Sequence, residues 1–141
     1  MILVVDASVA VKWFLVDSPD EGHTDIALGI FEQVVLGRHQ LLQPSHFIAE
    51  VAAVLARIQP GTAQVSLLNL IDIERQTADR PDIYASAVQL ATSLNHHLFD
   101  TLYHAVSLQT PGSTLVTADR RYFDKARHLG QIAWLGDFVL A

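Results

Sequence analysis

The chain has 141 residues, of which half are hydrophobic and 17% charged, with a formal net charge of −6 and no cysteine. That length and composition describe one globular domain, residues 1–141, able to bury a full core, and exclude a disordered chain. The lack of cysteine excludes disulfides and thiolate metal sites and suits a reducing, cytoplasmic setting.

The apolar run 1–16 has no basic leader and is interrupted by Asp6 and Lys12. It therefore reads as the first strand and helix of the fold, not as a signal or membrane segment. Residues 2–5 form a buried strand that stops at Asp6, and a helix follows over roughly 8–16. Asp17, Ser18, Pro19, Asp20 and Glu21 open a second helix ending near Gly37. Gln40–Gln43 is a short strand. Ser45, a good N-cap, begins a helix to Ile58 whose apolar face is Phe47, Val51, Val54 and Ile58. Pro60-Gly61-Thr62 is a turn into a helix over 62–72, and 73–77 suits a short strand. Pro81–Asn95 is the clearest amphipathic helix, with Ile83, Ala87, Leu90, Ala91 and Leu94 on one side. His96–Phe99 then reads as a strand ending at Asp100, and 101–109 as a helix. Ser113–Thr117 is a strand running into Asp119, 120–129 is a helix stopped by Gly130, and 131–135 is a last strand. The alternation implies an α/β domain with a mostly parallel sheet covered by helices on both faces.

Asp6, Asp100 and Asp119 each follow a short apolar run and precede a helix. Singly, each reads more readily as an N-cap than as a ligand. Parallel strands point their carboxyl ends to one edge, however, and that edge is where ligands bind. Glu50 joins them from an apolar helix stripe, three residues after Phe47 and four before Val54, where capping explains nothing. No Lys or Arg lies within one turn of it, since Arg57 is seven residues on. Four carboxylates gathered at one edge repel unless a cation neutralises them, so the pattern points to a divalent metal site.

The residues that carry this pattern also resemble a family. Val5-Asp6-Ala7-Ser8-Val9 with Lys12-Trp13, Pro44 followed by Glu50-Val51-Ala52-Ala53-Val54-Leu55, Phe99-Asp100-Thr101-Leu102-Tyr103, and Thr117-Ala118-Asp119-Arg120-Arg121-Tyr122 resemble the segments of PIN-domain nucleases, in family order. Among these they resemble the VapC-type toxins of prokaryotic toxin–antitoxin pairs, from Ile2 to about Leu135.

The resemblance implies a PIN-like three-layer α/β/α fold and a metal-dependent endoribonuclease. Asp6, Glu50, Asp100 and Asp119 would hold Mg²⁺ or Mn²⁺, with Asp6 and Asp100 the most direct ligands. Ser8 and Thr117 would orient carboxylates or water, although capping and strand filling explain them equally. Such a cation lowers the pKa of a bound water and offsets charge on the scissile phosphate. Products would then carry 5′-phosphate and 3′-hydroxyl ends. The resemblance further implies an RNA substrate, a homodimer and a cognate VapB-like antitoxin. That partner would lie along an apolar groove beside Trp13, Phe14 and Leu15 and reach a basic group into the acidic site, although core packing explains those three residues as well.

The acidic net charge is unlike the basic surface of most nucleic-acid binders, but bound cations would cancel part of it. Lys12, Arg120, Arg121 and Lys125 are candidate RNA contacts, and equally solvated helix residues. Asp124, more than a turn past Asp119, suits a surface partner of Arg120, Arg121 or His128. His96 and His97, beginning a strand, would point to opposite faces and could not chelate one ion together. His104, one turn beyond Asp100, could lean toward the site, but the family does not use histidine there.

Two other readings compete. Phosphoaspartyl phosphatases need a second aspartate two residues after the first, where this chain has Ser8. Receiver domains need neighbouring acids before the phospho-acceptor and a late strand-end lysine, which Gln131–Asp137 does not offer. A catalytically inactive PIN-like RNA- or protein-binding module is opposed by retention of all four acids. Gly29, Gly37 and Gly61 are isolated, so no phosphate-binding glycine loop is present.

Overall fold

The computed structural model describes residues 1–15 and 22–139. The expected opening of the second helix at Asp17 to Glu21, and the last residue of the first helix, lie outside the described residues.

The chain alternates β1 (Ile2–Val5), α1 (Ala7–Ala10) with a 3₁₀ turn over Val11–Trp13, α2 (Thr24–Val35), β2 (Gln40–Pro44), α3 (Phe47–Ile58), α4 (Ala63–Ile71) and β3 (Gln76–Ala78). It continues through α5 (Pro81–Leu94), α6 (Leu98–Leu108), β4 (Ser113–Thr117), α7 (Arg120–Ala126), a 3₁₀ turn over Arg127–Leu129, β5 (Ile132–Trp134) and a final 3₁₀ turn, Leu135–Asp137. The five strands form one sheet in the order β3-β2-β1-β4-β5, and every pair is parallel. Helices cover both faces, giving the three-layer α/β/α architecture expected from the sequence. No helix among the described residues is long and apolar enough to cross a membrane.

The strand order reverses direction at β1. The chain steps outward from β1 to β2 and β3, then returns to the other side of β1 for β4 and β5. Between the carboxyl ends of β1 and β4 the departing loops therefore diverge, and a crevice opens. Asp6 leaves β1 at that point and Asp119 leaves β4. Their backbones are tied there, because the Asp6 N–H donates to Val116 O at 3.0 Å.

The segment His96–Phe99 is not a strand. Leu98 opens α6, which makes Asp100 a first-turn helix residue rather than a strand end. The physical reason is burial. α6 lies across β1, β2 and β4 and against α5, and Thr101 through Ser107 are all buried. Leu98 packs against the same core, so the helix expected over 101–109 starts three residues earlier. Two smaller differences concern α3. His46, not Ser45, precedes its first turn, and the Ser45 hydroxyl pairs with Tyr84 Oη at 3.0 Å. Its buried stripe is Phe47, Val51 and Leu55, with Ile58 exposed. The edge strand β3 starts at Gln76, three residues later than expected.

One buried side chain extends the sheet. The β1–β2 ladder pairs only Ile2 with Gln40 and Leu3 with Leu41. Beyond it, Gln43 accepts from the Val5 N–H (2.8 Å) and donates to Val5 O (2.7 Å). An amide side chain thus replaces a strand backbone next to Asp6. Replacing Gln43 with leucine should strand two fully buried backbone groups and cost roughly 2–4 kcal/mol. Thermal unfolding should show a melting temperature lower by roughly 6–12 °C. The exposed neighbour substitution Gln40→Leu should change stability by no more than about 0.5 kcal/mol.

Candidate metal centre

Asp6 and Asp119 fulfil the bland role and the sharp one together. Asp6 caps α1, its Oδ2 accepting from the Ser8 N–H (3.2 Å), the Ser8 hydroxyl and the Thr117 hydroxyl (3.4 Å). Asp119 caps α7, its Oδ1 accepting from the Tyr122 N–H at 3.1 Å. Thr117 and Ser8 also bridge the two strand ends. Thr117 Oγ1 accepts from the Asp119 N–H (3.0 Å), and Ser8 Oγ accepts from the Ala118 N–H (3.0 Å).

Glu50 enters from the first turn of α3, and its Oε1 accepts from the Tyr103 hydroxyl at 3.2 Å. Asp100 enters from α6, and its Oδ2 pairs with His96 Nε2 at 2.9 Å. Each aspartate therefore has one oxygen held by the protein. Asp6 Oδ1, Asp100 Oδ1 and Asp119 Oδ2 have no hydrogen-bond partner among the described residues.

The four acids converge in two overlapping groups. Asp6, Glu50 and Asp100 each offer an oxygen within 4.8 Å of the others, and a second group of the same span joins an oxygen of Asp100 and of Asp119 with a ring nitrogen of His96. Asp100 belongs to both. An open cleft of about 390 Å³ is lined by all four carboxylates together with Ser8, Lys12 and Val54.

A PIN-domain family model matches residues 3–129. The chain belongs to the PIN-domain family. No curated protein sequence matches it. Two solved structures are similar. One is VapBC2 from Rickettsia felis bound to a DNA fragment from their promoter, at TM-score 0.65 and 15% identity, covering 95% of this chain and 97% of that one. The other is VapBC-1 from nontypeable Haemophilus influenzae, at TM-score 0.65 and 16% identity, covering 97% and 100%. At such identities the likeness is one of fold.

Within this PIN domain the carboxylates are strained electrostatically. Burial pushes the Asp6 carboxyl up to about 6, and the Asp100 and Asp119 charges push the same way against the Ser8 hydrogen bonds. Burial also raises Glu50 to about 7, followed by the charges of Asp6 and Asp100. Tyr103 is held protonated by burial and by the Glu50 charge, so its hydroxyl is a fixed donor.

The basic candidates separate. Lys12 is buried and lines the cleft instead of standing in solvent. Arg121 and Lys125 line an adjoining recess with His96, Asp100 and Asp119. Arg120 instead pairs with Asp124 at 3.2 Å, as the sequence suggested, and lies over the Trp134 ring at 4.5 Å. His104 is away from the acids. It is fully buried, bonded to Tyr122 Oη (2.8 Å) and Gly130 O (2.9 Å).

Three residues were missed from sequence. His96 sits on Asp100, where the strand reading had dismissed it. His46 approaches Glu50 Oε2 at 3.6 Å while bonding Phe99 O at 2.9 Å. Tyr103 holds Glu50. The i, i+4 spacings of His46 to Glu50 and His96 to Asp100 were the available signal.

Both resolved acid shifts are upward, so the metal-free native state holds protons that the unfolded chain has released. Stability from these groups is complete below about pH 4 and is lost as pH rises through about 6 to 7. Metal-free protein should therefore melt at a lower temperature at pH 8 than at pH 5. Asp6→Asn should recover on the order of 2–3 kcal/mol at pH 8 and about half as much at pH 5. Calorimetry at the two pH values, with and without Mg²⁺, checks both statements.

Proposed function

We propose that this protein is a VapC-type endoribonuclease toxin that hydrolyses RNA phosphodiester bonds at the site built from Asp6, Glu50, Asp100 and Asp119. The observation that carries the reading is the carboxylate triad Asp6, Glu50 and Asp100, with Asp119 joined to it through Asp100. The donor set fits Mg²⁺ or Mn²⁺, because the four acids offer hard oxygen atoms in an open cleft with room for water and phosphate. A divalent cation there supplies Lewis acidity and a water of lowered pKa.

The chain's own residues do the positioning. Ser8 and Thr117 fix Asp6 through Oδ2 and keep Oδ1 turned to the cleft. Tyr103 donates to Glu50 Oε1 and so orients the second oxygen of that carboxylate. Lys12 and Arg121 border the acids on two sides, where a phosphate backbone entering an otherwise negative cleft needs positive charge.

The VapB-like antitoxin and the homodimer belong to the same proposal, supported by the fold shared with two VapBC assemblies. An apolar groove lined by Trp13, Phe14, Phe31, Val35 and Ile73 suits a helix of such a partner. Leu15, by contrast, is core, and Trp13 is mostly buried with its Nε1–H on Ala27 O. The absence of cysteine fits a cytoplasmic site of action.

Labelled RNA incubated with antitoxin-free protein should be cut only with Mg²⁺ or Mn²⁺, leaving 5′-phosphate and 3′-hydroxyl ends. Asp6→Asn and Asp100→Asn should each reduce the rate by roughly 10²-fold or more. Folded wild-type protein that binds RNA but cuts none with either metal would favour the binding-module reading instead.

A further inference from the structure

His96 and Lys125 carry a role beyond the four acids. Asn95 ends α5 in the left-handed region (φ 49°), and the His96 N–H closes back on Ala91 O at 3.1 Å. The turn delivers the imidazole to Asp100, one helical turn ahead. On its far side, Lys125 Nζ lies 3.2 Å from His96 Nδ1 and donates to Asn95 O at 3.0 Å. The ring stands edge-on to Tyr122, 4.8 Å between centroids, and Tyr122 is anchored by His104. The His96 side chain is only 9% exposed.

These contacts define which nitrogen carries the proton. An ammonium only donates, so Nδ1 accepts and the ring proton resides on Nε2, facing Asp100 Oδ2. One oxygen of Asp100 is thereby fixed, and the other is left for the cleft. A cation ligated by His96 Nε2 would need that nitrogen's lone pair. The proton would have to move to Nδ1, which already faces the donating ammonium, and the Lys125 contact would break.

We propose that His96 and Lys125 form a positioning relay that holds the Asp100 carboxylate in ligating orientation, with neither group contacting the cation. The inference rests on the reading of Asp100 as a metal ligand given above. It also gives Lys125 a role inside the protein, where two of its three donors are engaged. Outer hydrogen-bond partners of this kind tune metal affinity by about 10–100-fold.

The test uses the full chain with ¹⁵N-labelled histidine at pH 8. Long-range ¹H–¹⁵N spectra, with His96 assigned from His96→Gln, should show the Nε2–H tautomer both without and with Mg²⁺. Calorimetric titration with Mn²⁺ should give about 10-fold or greater weakening for His96→Ala. His96→Gln, whose amide can still donate to Asp100, should recover most of it, and Lys125→Met should lose about threefold or more. In cleavage assays, His96→Ala should raise the Mn²⁺ concentration needed for half-maximal rate while kcat at saturating metal stays within about threefold.

A shift of the His96 proton to Nδ1 on adding Mg²⁺ would make it a ligand and overturn the relay. Unchanged Mn²⁺ affinity in His96→Ala, with normal uptake by wild type, would overturn the relay alone. Wild type that takes up neither cation would overturn the metal reading and the relay with it. Should His96→Ala fail to fold, His96→Gln and Lys125→Met carry the same comparison.

Discussion

Three carboxylates, Asp6, Glu50 and Asp100, converge within 4.8 Å of one another in a partly buried cleft, with Asp119 beside Asp100, and this cluster constrains the rest of the structure. Left alone they repel, and burial adds to the cost of ionising them, which is why Asp6 and Glu50 are pushed far above ordinary carboxylates. Nothing in a folding free energy favours such a cluster for its own sake. The surrounding structure bears it by holding each acid from behind: Ser8 and Thr117 on Asp6, Tyr103 on Glu50, His96 on Asp100, the Tyr122 N–H on Asp119. These donors come from α1, β4, α6, α7 and the turn before α6, so the acids are held from several parts of the fold.

The fold supplies the place. A parallel sheet whose order reverses at β1 opens a crevice between β1 and β4, and two of the four acids sit there because they end those strands. The other two arrive from α3 and α6. These helices bring Glu50 and Asp100 within a few ångströms of Asp6 from separate parts of the chain. Gln43 contributes by the same logic. Where β1 and β2 diverge toward the crevice, its amide keeps Val5 bonded and so prevents the divergence from exposing the backbone beside Asp6.

Asp6, Asp119 and Glu50 were legible in the sequence for different reasons. Two follow apolar runs of strand length, and the third interrupts a helix stripe. Asp100 was found in a wrong local setting. Its run His97-Leu98-Phe99 is apolar and too short to tell a strand from a first helical turn, so the helix read over 101–109 begins three residues earlier, at Leu98. The error propagated. A strand at His96 sends adjacent side chains to opposite faces, whereas a turn into a helix brings His96 onto Asp100, four residues on. The residues that hold the acids were hidden for a further reason. Tyr103 and Lys125 bond to groups distant in the chain, 53 and 29 residues away, and only the tertiary arrangement pairs them.

That distinction bears on how the site is specified. The acids themselves lie in short local patterns. The second layer, Tyr103, His96, Lys125 and the Tyr122–His104 pair, is spread over α6, α7 and the turn between α5 and α6, and is tied to how these pack. On the proposed relay, a change in how α7 meets that turn would leave every acidic residue in place and still turn Asp100 away from the cleft, because Lys125 on α7 steadies His96. Four acids in order are therefore necessary to this centre and insufficient for it. What gathers them is the set of donors that fixes one oxygen of each, leaving the second oxygen of the three aspartates without a hydrogen bond among the described residues.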